Sequence, residues 1–181
     1  MNIKRLYHGS VYLFDEVEVS KGKGYKDFGK GFYTSGIKSH AVSLALRNKQ
    51  IEIERLKRIG TSRIITAYLY EFDFDMDLIS RYNSKIFGKD ADLEWAKFVD
   101  ANRDCATKTH DFDIVIGATA DDDTALTFGA YRGGVYGEKG SLEALTTLIK
   151  HLEVENLPAQ IYFGSQKAAN NLILVKRSEV R

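Results

Sequence analysis

The chain predicts a mixed α+β fold, and three observations lead there. Residues 63–73 alternate in polarity and are rich in Ile, Thr, Tyr and Phe, the pattern of a half-buried strand. Residues 141–153 put Leu142, Leu145, Leu148 and Leu152 on one stripe, the pattern of a helix with one face buried. Strands follow one another both with and without an intervening helix, which excludes a regular βαβ repeat.

The remaining elements follow in chain order. Residues 4–8 read as a strand, a polar loop runs to about residue 30, and residues 31–35 form a second short strand. Ser39 is the expected N-cap of a helix through Ala41, Leu44 and Ala45, because its hydroxyl can accept from free backbone N–H groups. That helix continues over residues 51–58, with Glu54 and Arg58 spaced for an exposed ion pair. Residues 90–102 place Leu93, Trp95, Ala96, Phe98 and Val99 around a helix that should cover a sheet face. Ile114-Val115-Ile116, within residues 113–117, reads as a central strand. Residues 124–131 read as a helix, 160–163 as a strand, 165–171 as a short helix and 172–176 as the closing strand. With Pro158 the lone proline and no serine-rich linker or internal repeat, residues 1–181 read as one domain.

Composition narrows the class. Hydrophobic residues make up 44% and charged residues 28% of 181, ordinary for a soluble globular chain. The lone Cys105 excludes an internal disulfide framework and a multi-cysteine zinc site, and points to a reducing compartment. Met1–Arg5 runs into a strand with no signal-peptide core behind it, and no apolar stretch reaches membrane-spanning length, so a cytoplasmic protein with no membrane partner is expected. A net charge of +1 gives no whole-molecule argument for a polyanionic partner.

The glycines near the start carry the functional signal. Gly24-Tyr25-Lys26-Asp27-Phe28-Gly29-Lys30-Gly31 approaches a phosphate-binding loop, but Gly31 stands where magnesium coordination needs Ser or Thr, and strand rather than helix follows. No Gly-x-Gly-x-x-Gly fingerprint follows a predicted strand. What remains is Leu6-Tyr7-His8-Gly9-Ser10, a strand ending in imidazole and glycine, and Phe28-Gly29-Lys30-Gly31-Phe32-Tyr33, entering a second strand. Lys21, Lys23, Lys26 and Lys30 crowd the loop between them, either as a solvated loop or as a cationic flap over a pyrophosphate. Late in the chain, Ala159-Gln160-Ile161-Tyr162-Phe163 alternates so that Gln160 and Tyr162 share one face and Ile161 and Phe163 the other.

The first two segments resemble the nicotinamide-binding motifs of the ADP-ribosyltransferase superfamily, in its histidine–tyrosine branch of poly- and mono-ADP-ribosyltransferases. The resemblance implies a split mixed β-sheet core with flanking helices, and NAD as the substrate with no metal. It assigns His8 to a ribose hydroxyl, the backbone of Gly9 and Ser10 to the nicotinamide carboxamide, and Tyr33 to stacking on the nicotinamide ring, with Phe28 and Gly31 shaping the same site. The imidazole and the phenol are then expected to converge on a shared crevice. The third motif should present a glutamate that steadies an oxocarbenium-like transition state. Gln160 occupies its place; it can accept a hydrogen bond but carries no charge. Chain elongation is therefore not expected, and transfer itself is expected either to be weak or to need a carboxylate from elsewhere, with Asp121, Asp122 and Asp123 as the candidates. Those acids otherwise read as the start of a helix near Thr124, capped by Asp122 or Asp123, rather than as a metal site.

The resemblance extends further, through Asp113–Gly117, Ala120-Asp121-Asp122, the helix bearing Trp95 and the ending 160–174, to an uncharacterised bacterial family of that clan in which glutamine at the third motif is usual. It implies mono-ADP-ribosylation of an intracellular macromolecule, protein or nucleic acid, by a toxin or defence effector with an antitoxin protein as partner. The alternative is an inert NAD- or nucleotide-binding or protein-interaction module, which the uncharged Gln160 favours. An RNA phosphotransferase on the same scaffold fits less well, because His40, His110 and His151 form no matching pattern.

Overall fold

A computed structural model describes residues 2–88, 92–120, 122–152 and 158–181, without the side chains at 122 and 123. Seven strands form one sheet: β1 (Ile3–Ser10), β2 (Phe32–Ser35), β3 (Ala67–Asp75), β4 (Ser84–Ile86), β5 (Ile114–Ala118), β6 (Ala159–Phe163) and β7 (Ile173–Val180). Their order is β4-β5-β6-β2-β1-β3-β7, with β4 parallel to β5 and every other neighbouring pair antiparallel. Among the described residues five α-helices accompany them: α1 (Lys38–Arg58), α2 (Leu93–Arg103), α3 (Asp122–Arg132), α4 (Leu142–His151) and α5 (Gln166–Ala169). The fold class is the α+β expected, and no helix among the described residues is long and apolar enough to cross a membrane.

Alternation along the strands sorts side chains into two cores. Val115 and Tyr162 turn to one face, where they meet Phe28, Phe87, Trp95, Phe128, Leu145 and Leu148 beneath α2, α3 and α4. Leu6, Phe32, Tyr70, Phe72, Ile114, Ile161 and Phe163 turn to the other face, closed by α5 and the long loop after β1. The predicted division of Gln160 and Tyr162 from Ile161 and Phe163 is therefore what the sheet uses.

A capping side chain opens some of the helices. Asp92 accepts from Trp95 N at 2.8 Å to open α2, and Ser141 accepts from Ala144 N at 3.1 Å to open α4. Ser39 does not cap α1; it lies inside the first turn, and the cap position is Ile37, which offers no side-chain acceptor. Ser35 Oγ instead accepts from Ile37 N at 3.0 Å and turns the chain out of β2. The ion pairs on α1 are Glu52 with Arg55 at 2.6 Å and Glu54 with Lys57 at 2.9 Å, not Glu54 with Arg58. Ser84–Ile86 and the 3-10 turn at Met76–Arg81 carry no sequence signal, because three residues are too few to establish a period. The run 114–116 is buried as expected, though β5 lies second from the β4 edge rather than at the centre.

One irregularity positions the site. β1 pairs with β3 along its whole length, and β2 pairs with β6 along its whole length. Between β1 and β2, however, the register holds a single pair, Tyr7 opposite Ser35. Past that pair the two strands part, and the motif residues His8, Gly9 and Tyr33 border the parting.

Candidate functional site

The three motif positions fall on three neighbouring strands: Gln160 on β6, Tyr33 on β2 and His8 on β1. Gln160 is directly opposite Ser35, and Tyr162 directly opposite Tyr33. Tyr33 thus stands on the face of Phe28 and Tyr162, its ring 5.1 Å from that of Tyr162 and 6.4 Å from that of Phe28. Its hydroxyl donates to Gly29 O at 2.6 Å and accepts from Phe28 N at 3.1 Å, which clamps the glycine loop onto the strand. Burial, reinforced by the Asp27 carboxylate, holds its phenol well above the usual tyrosine range, so it stays protonated.

His8 points to the opposite face. Its ring lies 4.4 Å from Phe32 and 6.2 Å from Tyr70, both in the second core. The expected convergence of imidazole and phenol on one crevice is therefore not met: alternation of Phe32 and Tyr33 along β2 puts the two rings on different sides of the sheet. They are linked through backbone instead. His8 Nδ1 lies 2.7 Å from Tyr33 O, and since a carbonyl only accepts, Nδ1 carries the proton and Nε2 the lone pair. The imidazole bridges the parting of β1 and β2.

Burial pushes the His8 pKa down to about 4, with the hydrogen bond to Tyr33 opposing it. The folded state thus binds the proton less readily than the unfolded chain, whose imidazole titrates near 6.5. Stability is full above pH 6.5 and falls as the pH drops toward 4, by about 2–3 kcal/mol for this group. Urea unfolding of wild type and a His8→Phe variant from pH 7 to pH 4 should show that extra loss in wild type only.

The remaining assigned residues take structural positions. Phe28 is fully buried in the first core, so its ring offers no ligand surface; its carbonyl faces His110 Nε2 at 2.9 Å. Ser10 Oγ accepts from Tyr12 N at 3.0 Å and turns the chain after β1. Gly31 is a glycine because an added Cβ would sit 2.2 Å from Tyr162 Cε2, and Tyr162 donates to Lys30 O at 2.9 Å beside it. Gly9 faces α1, where an added Cβ would lie 2.0 Å from Ala41 O. Asp121 lies outside the described residues, and α3 begins at Asp122, ahead of the expected Thr124.

A carboxylate does reach Gln160, from a residue whose role sequence reasoning missed. Asp27, buried in the loop before β2, accepts from Gln160 Nε2 at 2.8 Å and from Ala120 N at 3.0 Å through Oδ2. Its Oδ1 accepts from Arg103 Nε at 2.8 Å, and Arg103 also donates to Ala120 O at 2.8 Å. Gln160 Nε2 has a second, longer acceptor in Ala118 O at 3.4 Å, which also receives Trp95 Nε1 at 3.2 Å. One signal was legible in principle: an aspartate directly before the buried Phe28 needs a partner if it is buried too. Nothing local named Arg103. Lys26 counts as exposed, yet desolvation of its ammonium is the largest effect lowering its pKa, with Lys23, Arg47 and Arg103 acting the same way and Asp27 against.

A family model covers residues 4–174, nearly the whole chain, and its description is a protein of unknown function, DUF3990. The chain belongs to the DUF3990 family. No curated protein and no solved structure matches it. His8, Asp27, Tyr33, Arg103 and Gln160 all lie within the matched span of this DUF3990 member.

Proposed function

We propose that this DUF3990 protein is an NAD-dependent mono-ADP-ribosyltransferase acting on an intracellular macromolecule. The observation that carries the reading is the placement of His8, Tyr33 and Gln160 on adjacent strands where the β1–β2 ladder gives out after one pair. A sheet that parts there offers unladdered backbone beside an aromatic ring, which suits a flat carboxamide-bearing ring. In this reading Tyr33 stacks on nicotinamide and the Gly9 backbone meets the carboxamide, while neutral His8, on the opposite face of the sheet, holds the Tyr33 carbonyl through Nδ1 and so positions the strand that carries the ring. Lys23, Lys26 and Arg47 attract the pyrophosphate through charge. Gln160 receives a hydrogen bond from the reacting ribose. The acceptor is a protein or a nucleic acid, and a toxin or defence role with an antitoxin partner follows from the same reading by analogy.

The test is transfer of label from NAD in cell extract. Stacking contributes about 0.5–1.5 kcal/mol beyond burial, and Tyr33→Ala also releases the glycine loop, so transfer should fall at least tenfold. Undiminished labelling by Tyr33→Ala would remove the mechanism.

One observation favours the alternative of a binding module without chemistry. The Asp27 carboxylate beside Gln160 is already paired with Arg103, so it does not stand as an open negative charge. Calorimetry with NAD separates the two readings: heat of binding without nicotinamide release supports the module, and release supports the enzyme.

A further inference from the structure

We infer that Asp27 is a positioning residue that fixes the orientation of the Gln160 amide, so that Oε1 and not Nε2 is the end offered to the ribose. The inference rests on the ADP-ribosyltransferase reading for the identity of the ligand, but not for the orientation itself. A glutamine amide has two chemically different ends, and only its oxygen can replace a carboxylate oxygen as an acceptor. A glutamine left to turn freely would present NH₂ as readily as C=O.

Here the choice is made by two acceptors on one side. Asp27 Oδ2 at 2.8 Å and Ala118 O at 3.4 Å both face the same terminal atom, and neither can donate. That atom is therefore the nitrogen, with its two N–H groups directed to two acceptors, and Oε1 is turned away from them. Asp27 is itself held from the far side by Arg103 on Oδ1 and by Ala120 N on Oδ2, so the carboxylate cannot rotate to release the amide. The burial of both Asp27 and Gln160 makes the hydrogen bond strong and directional. A glutamate at 160 would be excluded by the same neighbour, because two carboxylates would meet at hydrogen-bond distance. Glutamine at this position is then the partner that Asp27 requires.

A pair of substitutions tests this. In Asp27→Asn the side chain can present NH₂ toward residue 160 and admit the reversed amide; nicotinamide release from NAD should drop ten- to a hundredfold in kcat with the dissociation constant for NAD within threefold of wild type. Adding Gln160→Glu to Asp27→Asn should recover the loss, since a carboxylate presents oxygen whichever way it turns. A double variant no more active than Asp27→Asn overturns the inference. Two measurements stand apart from turnover. The side-chain amide protons of Gln160 should exchange slowly in wild type and fast in Asp27→Asn, read by NMR without NAD. In the single Gln160→Glu variant, with Asp27 kept, the melting temperature at pH 8 should lie below wild type and below that of the Asp27→Asn, Gln160→Glu double variant, because two carboxylates then meet at hydrogen-bond distance. Rapid amide exchange in wild type, or a Gln160→Glu protein as stable as wild type, overturns the orientation. If both behave as stated while wild type releases no nicotinamide from NAD, the orientation stands and the enzyme reading falls.

Discussion

Gly9→Ala should destabilise the protein by about 3 kcal/mol or more, at the upper end of what overpacking a filled site costs. An added Cβ would lie 2.0 Å from Ala41 O and 2.8 Å from Ala45 N, both backbone atoms of α1. No rotamer change relieves a clash between a Cβ and backbone, so either α1 lifts from the sheet or β1 bows away from it. For a chain of this size the melting temperature should fall by roughly 6–12 °C. Gly36→Ala is the control: nothing lies within 4 Å of the added methyl, and its melting temperature should stay close to wild type. A Gly9→Ala protein as stable as Gly36→Ala would mean that α1 does not rest on β1 as described. The resemblance assigned Gly9 to the ligand; the fold gives it a second reason to be glycine, and loss of activity in Gly9→Ala has to be read beside loss of stability.

Removing Arg103 should cost a similar or larger amount. Breaking a buried ion pair from one side strands the other charge, at about 3–5 kcal/mol. The side chains of Arg103 and Asp27 retain 15% and 9% of their exposure, so water cannot easily replace the guanidinium. Arg103→Met keeps an apolar stem of similar length while deleting the charge, and with it the guanidinium carbon that lies 5.1 Å from the Phe128 ring. Denaturant unfolding at pH 7 should show the full penalty. Asp27→Asn combined with Arg103→Met should be more stable than Arg103→Met alone, since the second change removes the stranded charge. Additive losses in that cycle would show that the two residues do not act as a pair.

Much of the architecture was legible because it is written in local periods. The two-residue alternation of 159–163 placed Tyr162 and Phe163 in different cores, and of the predicted stripe Leu142, Leu145, Leu148 and Leu152 the last three lie against the first core while Leu142, at the start of α4, is exposed. Asp92 and Ser141 cap α2 and α4, each a short polar side chain that satisfies a backbone donor three residues on, though periodicity alone singled out neither and set the start of the first of these helices at residue 90. Where the determining contact lay elsewhere, as with Ser39 and the ion pairs of α1, local spacing chose a plausible neighbour and the packed helix chose another. β4 went unseen for a related reason, since it exists by pairing with β5 and not by any pattern of its own.

By itself, then, the sequence determined most of the strands and helices, which of their faces are apolar, and that His8, Tyr33 and Gln160 come at the ends or beginnings of strands. Tertiary structure alone decided that those strands are neighbours, that the imidazole and the phenol face opposite sides of the sheet, and that Asp27 meets Gln160 and Arg103 across 133 and 76 residues of chain. The physical reason is one of range. Periodicity and capping act within a few residues, whereas a buried charge accepts whichever partner the assembled sheet and helices bring within 3 Å, and no local spacing encodes that meeting.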